Sequence, residues 1–246
     1  MDSLKSTKLS VNINKLATIR NARGGNNPDI IAYAKKIEQY GAHGITVHPR
    51  PDERHIRFAD LYMLKEHVST ELNIEGYPSR EFLDLVLEIQ PQQVTLVPDA
   101  PDVLTSNNGW DTIKQQSLLK DIVQELKSHN IRTSIFLNPE PQLIASAFQT
   151  GTDRIELYTE GYASGYHLNK EHAIQAYIET AKAANEAGLG LNAGHDLDLH
   201  NLRYFQQQIP GLLEVSIGHA LICDALEFGM ANTVKMYLNQ LDNTQG

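Results

Sequence analysis

Short apolar runs recur along the chain at nearly regular intervals, over residues 9–13, 44–48, 72–76, 93–97, 132–137, 154–158, 188–192 and 213–217. Each is the length of a strand and rich in Val, Ile and Leu. Between them apolar residues fall three or four apart: Ile30, Ala34, Ile37 and Tyr40, then Phe82, Leu85, Val86 and Ile89, then Ile122, Leu126 and His129. That spacing belongs to helices that bury one face. The strand runs read as apolar throughout rather than alternating, which suits parallel strands covered on both sides.

Eight strand–helix units of about 30 residues each predict an α/β fold, a single (β/α)8 TIM barrel. One domain spanning residues 1–246, with extra helical and loop insertions, is the simplest division. An open doubly wound sheet is the structural competitor. Two connections are long for such a fold, residues 14–29 and 98–111. The second is polar and carries the only tryptophan, Trp110, at its tip, so it reads as a candidate lid or a plain surface loop.

Composition narrows the function classes. The formal net charge is −9, which argues against a nucleic-acid partner held by bulk electrostatics. An anionic ligand would need a local positive field. The single cysteine, Cys223, excludes an internal disulfide framework and a Cys-rich zinc site. No stretch approaches the roughly 18 apolar residues of a membrane span, and residues 1–15 lack a signal-peptide core. A soluble cytoplasmic protein with no membrane partner is expected.

In a barrel, reactive groups collect at the C-terminal ends of the strands. Strand 1 ends on Asn12, Asn14 and Lys15, with Arg20 and Arg23 beyond; strand 2 ends on His48 and Arg50, with His55 beyond. Strand 3 ends on Glu75, strand 4 leads to Thr105 and Ser106, and strand 6 carries Glu156, Tyr158 and Thr159. Strands 7 and 8 are followed by Gly194-His195-Asp196 and Gly218-His219.

Gly-His between a buried strand and a helix lets backbone approach a ligand and offers unpaired N–H groups, a phosphate cradle or simple turn punctuation. Arg23, Arg50 and His55 form a second candidate anion site. Their competitor is ion pairing at the surface with Asp29, Asp52 and Glu53, to which Arg20 and Arg54 are assigned. A buried strand-end carboxylate such as Glu75 must be paired, protonated or used. His48 and His195 are placed to exchange protons with it. No His-x-His, His-Glu-x-x-His or nucleotide-binding glycine motif occurs, so neither a metal nor a cofactor is expected.

Read together, Val11-Asn12-Ile13, Ala17-Thr18-Ile19-Arg20-Asn21-Ala22-Arg23-Gly24, Gly44-Ile45-Thr46-Val47-His48-Pro49-Arg50, Arg54-His55-Ile56, Asn73-Ile74-Glu75, Leu96-Val97-Pro98, Asn192-Ala193-Gly194-His195 and Ile217-Gly218-His219-Ala220 resemble the pyridoxine 5′-phosphate synthase family. The resemblance runs in order along nearly the whole chain. It implies a barrel that condenses 1-deoxy-D-xylulose 5-phosphate with 3-amino-2-oxopropyl phosphate, making pyridoxine 5′-phosphate, phosphate and water. It further implies His48 and Glu75 as proton acceptors and His195 as proton donor. Asn12, Gly218 and His219 would hold the aminoketone phosphate; Arg23, Arg50, His55 and Thr105 would hold the sugar phosphate. Gly194 and Asp196 complete the candidate binding set. The partners implied are these two phosphorylated small molecules and other copies of the chain, in a homo-octamer.

The chain departs from the family pattern at three places. Asn14-Lys15 stands where the better-known members have Asp-His, prolines 49 and 51 bracket Arg50, and Asp196 follows His195 where glycine is common. Two other readings compete: a different phosphosugar isomerase or Schiff-base aldolase, for which Lys15 is the plausible lysine, and a non-catalytic phosphometabolite-binding barrel.

Overall fold

One strand forms at each apolar run: β1 Lys8–Asn12, β2 Gly44–Val47, β3 Glu71–Gly76, β4 Gln93–Leu96, β5 Arg132–Leu137, β6 Arg154–Tyr158, β7 Gly190–Gly194 and β8 Leu212–Ile217. All pair in parallel, and β8 returns to β1 to close the barrel. The structure, a computed structural model, describes residues 6–98 and 108–242. Seven strands lie within a residue or so of their expected bounds. β7 starts later because Gly188, at φ +80°, and Leu189 belong to the end of the preceding helix, where Leu189 N–H returns to the Ala184 carbonyl.

The helices are α1 Asn14–Asn21, α2 Ile30–Gln39, α3 Phe58–His67, α4 Arg80–Ile89, α5 Gln116–Ser128, α6 Ile144–Gln149, α7 Glu160–Ala173, α8 Gln175–Glu186, α9 Leu202–Gln208, α10 His219–Phe228 and α11 Met230–Leu241. The first long connection therefore opens with a helix, which buries Leu16, Ala17 and Arg20. None of the helices among the described residues is long and apolar enough to cross a membrane.

The strands alternate, contrary to the continuous apolar pattern expected. One set of side chains, including Val11, Ile45, Ile74, Val94, Ile135, Ile155, Leu191 and Val215, packs in the main core. The intervening residues, including Ser10, Thr46, Asn73, Gln93, Ser134, Glu156, Asn192 and Glu214, are buried and polar. With period two they share the other face, the barrel lumen. Several pair with one another: Ser10 bonds Thr46 at 2.7 Å, Thr95 donates to Asn73 at 3.1 Å, and Arg132 donates to Gln93 at 2.9 Å. At the N-terminal end of the lumen Arg132 also binds Glu71, and Arg154 reaches Asn192 and Glu214 at 3.1 and 3.4 Å.

Two expectations for the loops change. Trp110 is not a loop tip: it is 1% exposed, its indole N–H donates to the Leu96 carbonyl at 2.9 Å, and its ring stacks on Tyr77. Most of the candidate lid, including Thr105 and Ser106, lies outside the described residues. Arg20 is not a surface ion pair either. It is 1% exposed and grips both oxygens of Asp60 at 2.7 and 2.8 Å, tying α1 to α3. Asp29 caps α2 through the Ala32 N–H, and Arg54 approaches Asp52 at 3.7 Å as expected.

Candidate active site

A cavity of about 510 Å³ opens at the C-terminal ends of the strands, within the range of small-molecule sites. Nine expected residues line it: Asn12, His48, Arg50, His55, Glu75, His195, Asp196, Gly218 and His219. Gly194 ends β7 beside it, where a Cβ would collide with the Ser216 backbone. Gly218 lies so close to Asn12 that a Cβ would meet its side chain at 3.1 Å. Arg23 is exposed past the end of α1 and is not among the lining residues.

The floor carries the proton chemistry. Asn12, at the end of β1, accepts from the Asn14 N–H at 3.0 Å and donates to Glu75 Oε2 at 3.5 Å. Asn14 in turn accepts from the His48 N–H at 2.9 Å, so the neutral amide fixes the end of β2. His48 Nδ1 lies 4.0 Å from Glu75 Oε2. Burial, more than the positive charges of Arg50, His55, Arg54 and His195, lowers His48 to about 3. At neutral pH the contact is therefore between a neutral ring and a carboxyl, not an ion pair. Burial also pushes Glu75 up to about 7, opposed by His195 and reinforced by Glu214.

Across the floor stands Glu156 of β6, 4% exposed, with Oε2 buried and without a hydrogen-bond partner. Burial first, then the negative charges of Glu75 and Glu214, raise its carboxyl well above the ordinary range. A carboxyl raised in this way favours its protonated form, which can donate.

The rim carries charge and strain. His195 adopts φ +66°, a left-handed conformation that costs a side chain about 1 kcal/mol or more. Its Nδ1 bonds Asp196 Oδ2 at 2.8 Å, and its N–H reaches the Ser216 carbonyl at 3.2 Å. A carboxylate only accepts, so Nδ1 carries the hydrogen of this bond. Asp196 thereby has its charge engaged on the histidine. Opposite, Arg50 is 6% exposed, its carbonyl taken by the Glu53 N–H, and Pro49 bridges Ile56. The bracketing prolines thus belong to a turn whose backbone is pinned around Arg50. His219 and Gly218 start α10, with Ser216 beside them. Among the described residues, no group of three or more His, Cys, Asp or Glu is arranged to hold a metal ion.

Residues 9–243 match the family described as pyridoxal phosphate biosynthesis protein PdxJ. The chain belongs to this family. A pyridoxine 5′-phosphate synthase of Cytophaga hutchinsonii is 60% identical over 235 residues, covering 96% of this chain and 99% of the relative. One from Flavobacterium johnsoniae is also 60% identical, with the same coverage. Solved structures share the barrel at low identity. A phosphoribosylanthranilate isomerase from Thermotoga maritima is 13% identical with TM-score 0.60, covering 96% of this chain and 98% of its own. A tryptophan synthase from M. tuberculosis is 12% identical with TM-score 0.63, covering 96% and 93%. These two show the fold alone.

For this PdxJ-family site, residue types at strand ends mark much of the polar lining; among the lining groups they leave without a role are Glu156 and Lys15. Glu156 was noted only as content of β6; the signal was its even spacing from Arg154 and Tyr158 on the lumen face. Lys15 stood out as a departure and a possible aldolase lysine, and it is a lining residue. The PdxJ-family cavity thus brings together a carboxyl near its midpoint at neutral pH, a second carboxyl raised well above its ordinary range, two histidines, and the cations Lys15 and Arg50 beside His55, whose own pKa is lowered.

Proposed function

We propose that this cavity condenses 1-deoxy-D-xylulose 5-phosphate with 3-amino-2-oxopropyl phosphate, closing the ring of pyridoxine 5′-phosphate and releasing phosphate and water. The chain is an enzyme of vitamin B6 biosynthesis. The single observation that carries the assignment of roles is that Glu75, Glu156, His48 and His195 line one cavity.

Imine formation, enolisation, dehydration, phosphate loss and ring closure are successive proton transfers, each needing a base or an acid at hand. Glu75, near its midpoint, takes protons as carboxylate and returns them as acid. His48 is neutral in the free cavity, and incoming phosphates offset the positive neighbours that help hold it so, strengthening it as an acceptor. His195, oriented by Asp196, acts as the donor after it has been charged. Glu156 donates to a developing oxyanion without ionising.

Phosphate recognition divides between two walls. Gly218, His219 and the start of α10 suit the aminoketone phosphate, with Asn12 beside them. Arg50 and Lys15 suit the sugar phosphate, Lys15 supplying a cation on the side where Arg23 stands apart. A cytoplasmic homo-octamer of one-domain barrels completes the proposal.

Mixing the purified protein with both substrates tests it. Formation of pyridoxine 5′-phosphate with stoichiometric phosphate release is expected. Binding without either product would return the chain to the phosphometabolite-binding reading, and borohydride trapping at Lys15 would favour the aldolase one.

A further inference from the structure

Three residues of α1, Thr18, Arg20 and Asn21, bond to His55. Asn21 Nδ2 donates to the His55 carbonyl at 2.7 Å and to the Glu53 carbonyl at 3.1 Å. Arg20 Nη2 reaches the same His55 carbonyl at 3.3 Å while the guanidinium is locked on Asp60, and its Nε donates to Asn21 Oδ1 at 3.0 Å. Asp60 also takes the Arg57 N–H at 2.8 Å, which closes the turn carrying His55 onto α3. The main chain of His55 is thus held by a buried charged clamp, and its ring lines the cavity.

The ring has a partner on the same helix. Thr18 Oγ1 lies 2.8 Å from His55 Nδ1 and 3.1 Å from the Asn14 carbonyl. A hydroxyl has one hydrogen, and a carbonyl only accepts. Both contacts are hydrogen bonds when the hydroxyl donates to Asn14 and accepts from Nδ1–H. The ring also has a hydrogen bond with the Arg54 backbone. Burial, with Lys15, Arg54 and Arg50 around it, lowers the pKa of the imidazole.

We infer that Thr18, with the Arg20–Asn21–Asp60 clamp, fixes His55 as the Nδ1–H tautomer, so that Nε2 accepts a hydrogen bond from a hydroxyl of the sugar phosphate. His55 then reads the polyol part of the substrate, and the phosphate charge falls to Arg50 and Lys15. Thr18, Arg20 and Asn21 are positioning residues. The inference rests on the proposed substrate only for the identity of the hydroxyl; the tautomer is a property of the free protein.

Protein labelled with ¹⁵N-histidine, observed without ligand by long-range ¹⁵N–¹H correlation, reads the tautomer directly. The signal of His55, assigned by its loss in His55→Asn, is expected as Nδ1–H; Thr18→Val shifts it toward Nε2–H, and Thr18→Ser restores it. An Nε2–H signal in the wild type, or no change in Thr18→Val, overturns the inference. In turnover, Thr18→Val raises KM for the sugar phosphate about three- to tenfold, the scale of one hydrogen bond, with kcat less affected. Inhibition by inorganic phosphate stays unchanged; weakening by the same factor would instead assign His55 to the anion. If the wild type makes no product, the functional proposal fails while the spectra still decide the tautomer.

Discussion

The barrel lumen holds two layers of carboxyls that differ in what faces them. Toward the N-terminal ends, Glu71 and Glu214 meet Arg132 and Arg154, and these contacts plug the barrel. Toward the C-terminal ends, Glu75 and Glu156 meet an amide, a neutral imidazole and each other. All four are glutamates on lumen faces, and Glu71 and Glu75 share one strand. Proton affinity alone does not separate the layers, because burial and then Glu71 push Glu214 up to about 7 despite Arg154 and Arg132. Access separates them: Glu75 and Glu156 line the cavity, where a raised carboxyl can serve acid–base catalysis, and Glu71 and Glu214 do not.

Removing Glu75 from the comparison should have the largest effect. Glu75→Gln keeps the shape and loses the base, so turnover falls about 10²- to 10⁴-fold in a product-formation assay. The same variant reports on stability. The carboxyl's ordinary value of 4.5 is raised to about 7 on folding, so between those values the native state holds a proton the unfolded chain has released. Stability contributed by that proton is present below the lower value and lost as pH rises through the higher one. Urea midpoints measured at about pH 5 and about pH 8 should fall more for the wild type than for Glu75→Gln.

The lower layer should break in the opposite way. Arg154→Met leaves Glu214 buried without its cation and costs about 3–5 kcal/mol of stability, while Arg154→Met with Glu214→Leu recovers most of it. A cost below about 1 kcal/mol in the single variant would show that this layer does not hold the barrel. The smallest effect sharpens the upper layer. If Glu156 works protonated, Glu156→Gln preserves a donor and lowers kcat by no more than about tenfold. A loss as deep as that of Glu75→Gln would mean that Glu156 acts as a carboxylate.

Much of this architecture was legible beforehand. Eight apolar runs with helical spacing between them are enough to place eight strands, and a strand's end marks its residues for the rim, which is how His48, Glu75, His195 and Gly218 were found. What spacing does not carry is partnership across the fold. Arg20 looks like any surface cation until α3 brings Asp60 beneath it, and Trp110 looks like a loop tip until Tyr77 and the Leu96 carbonyl receive it. Glu156 was passed over because a polar residue inside an apolar run gains meaning only once the run is known to alternate. Arg23 and Lys15 changed places for a similar reason: both follow strand 1, but the turn of α1 carries one past the cavity and leaves the other lining it.

The most direct measurement is the titration of the Glu75 carboxyl in the ligand-free protein, followed by ¹³C NMR of labelled glutamate and assigned by the signal missing from Glu75→Gln. A midpoint near 7 is expected, because burial raises this carboxyl and Arg154 is engaged with Glu214 in the layer below. A midpoint near the ordinary 4.5 would contradict the account of Glu75 as a buried carboxyl poised to exchange protons at the cavity floor.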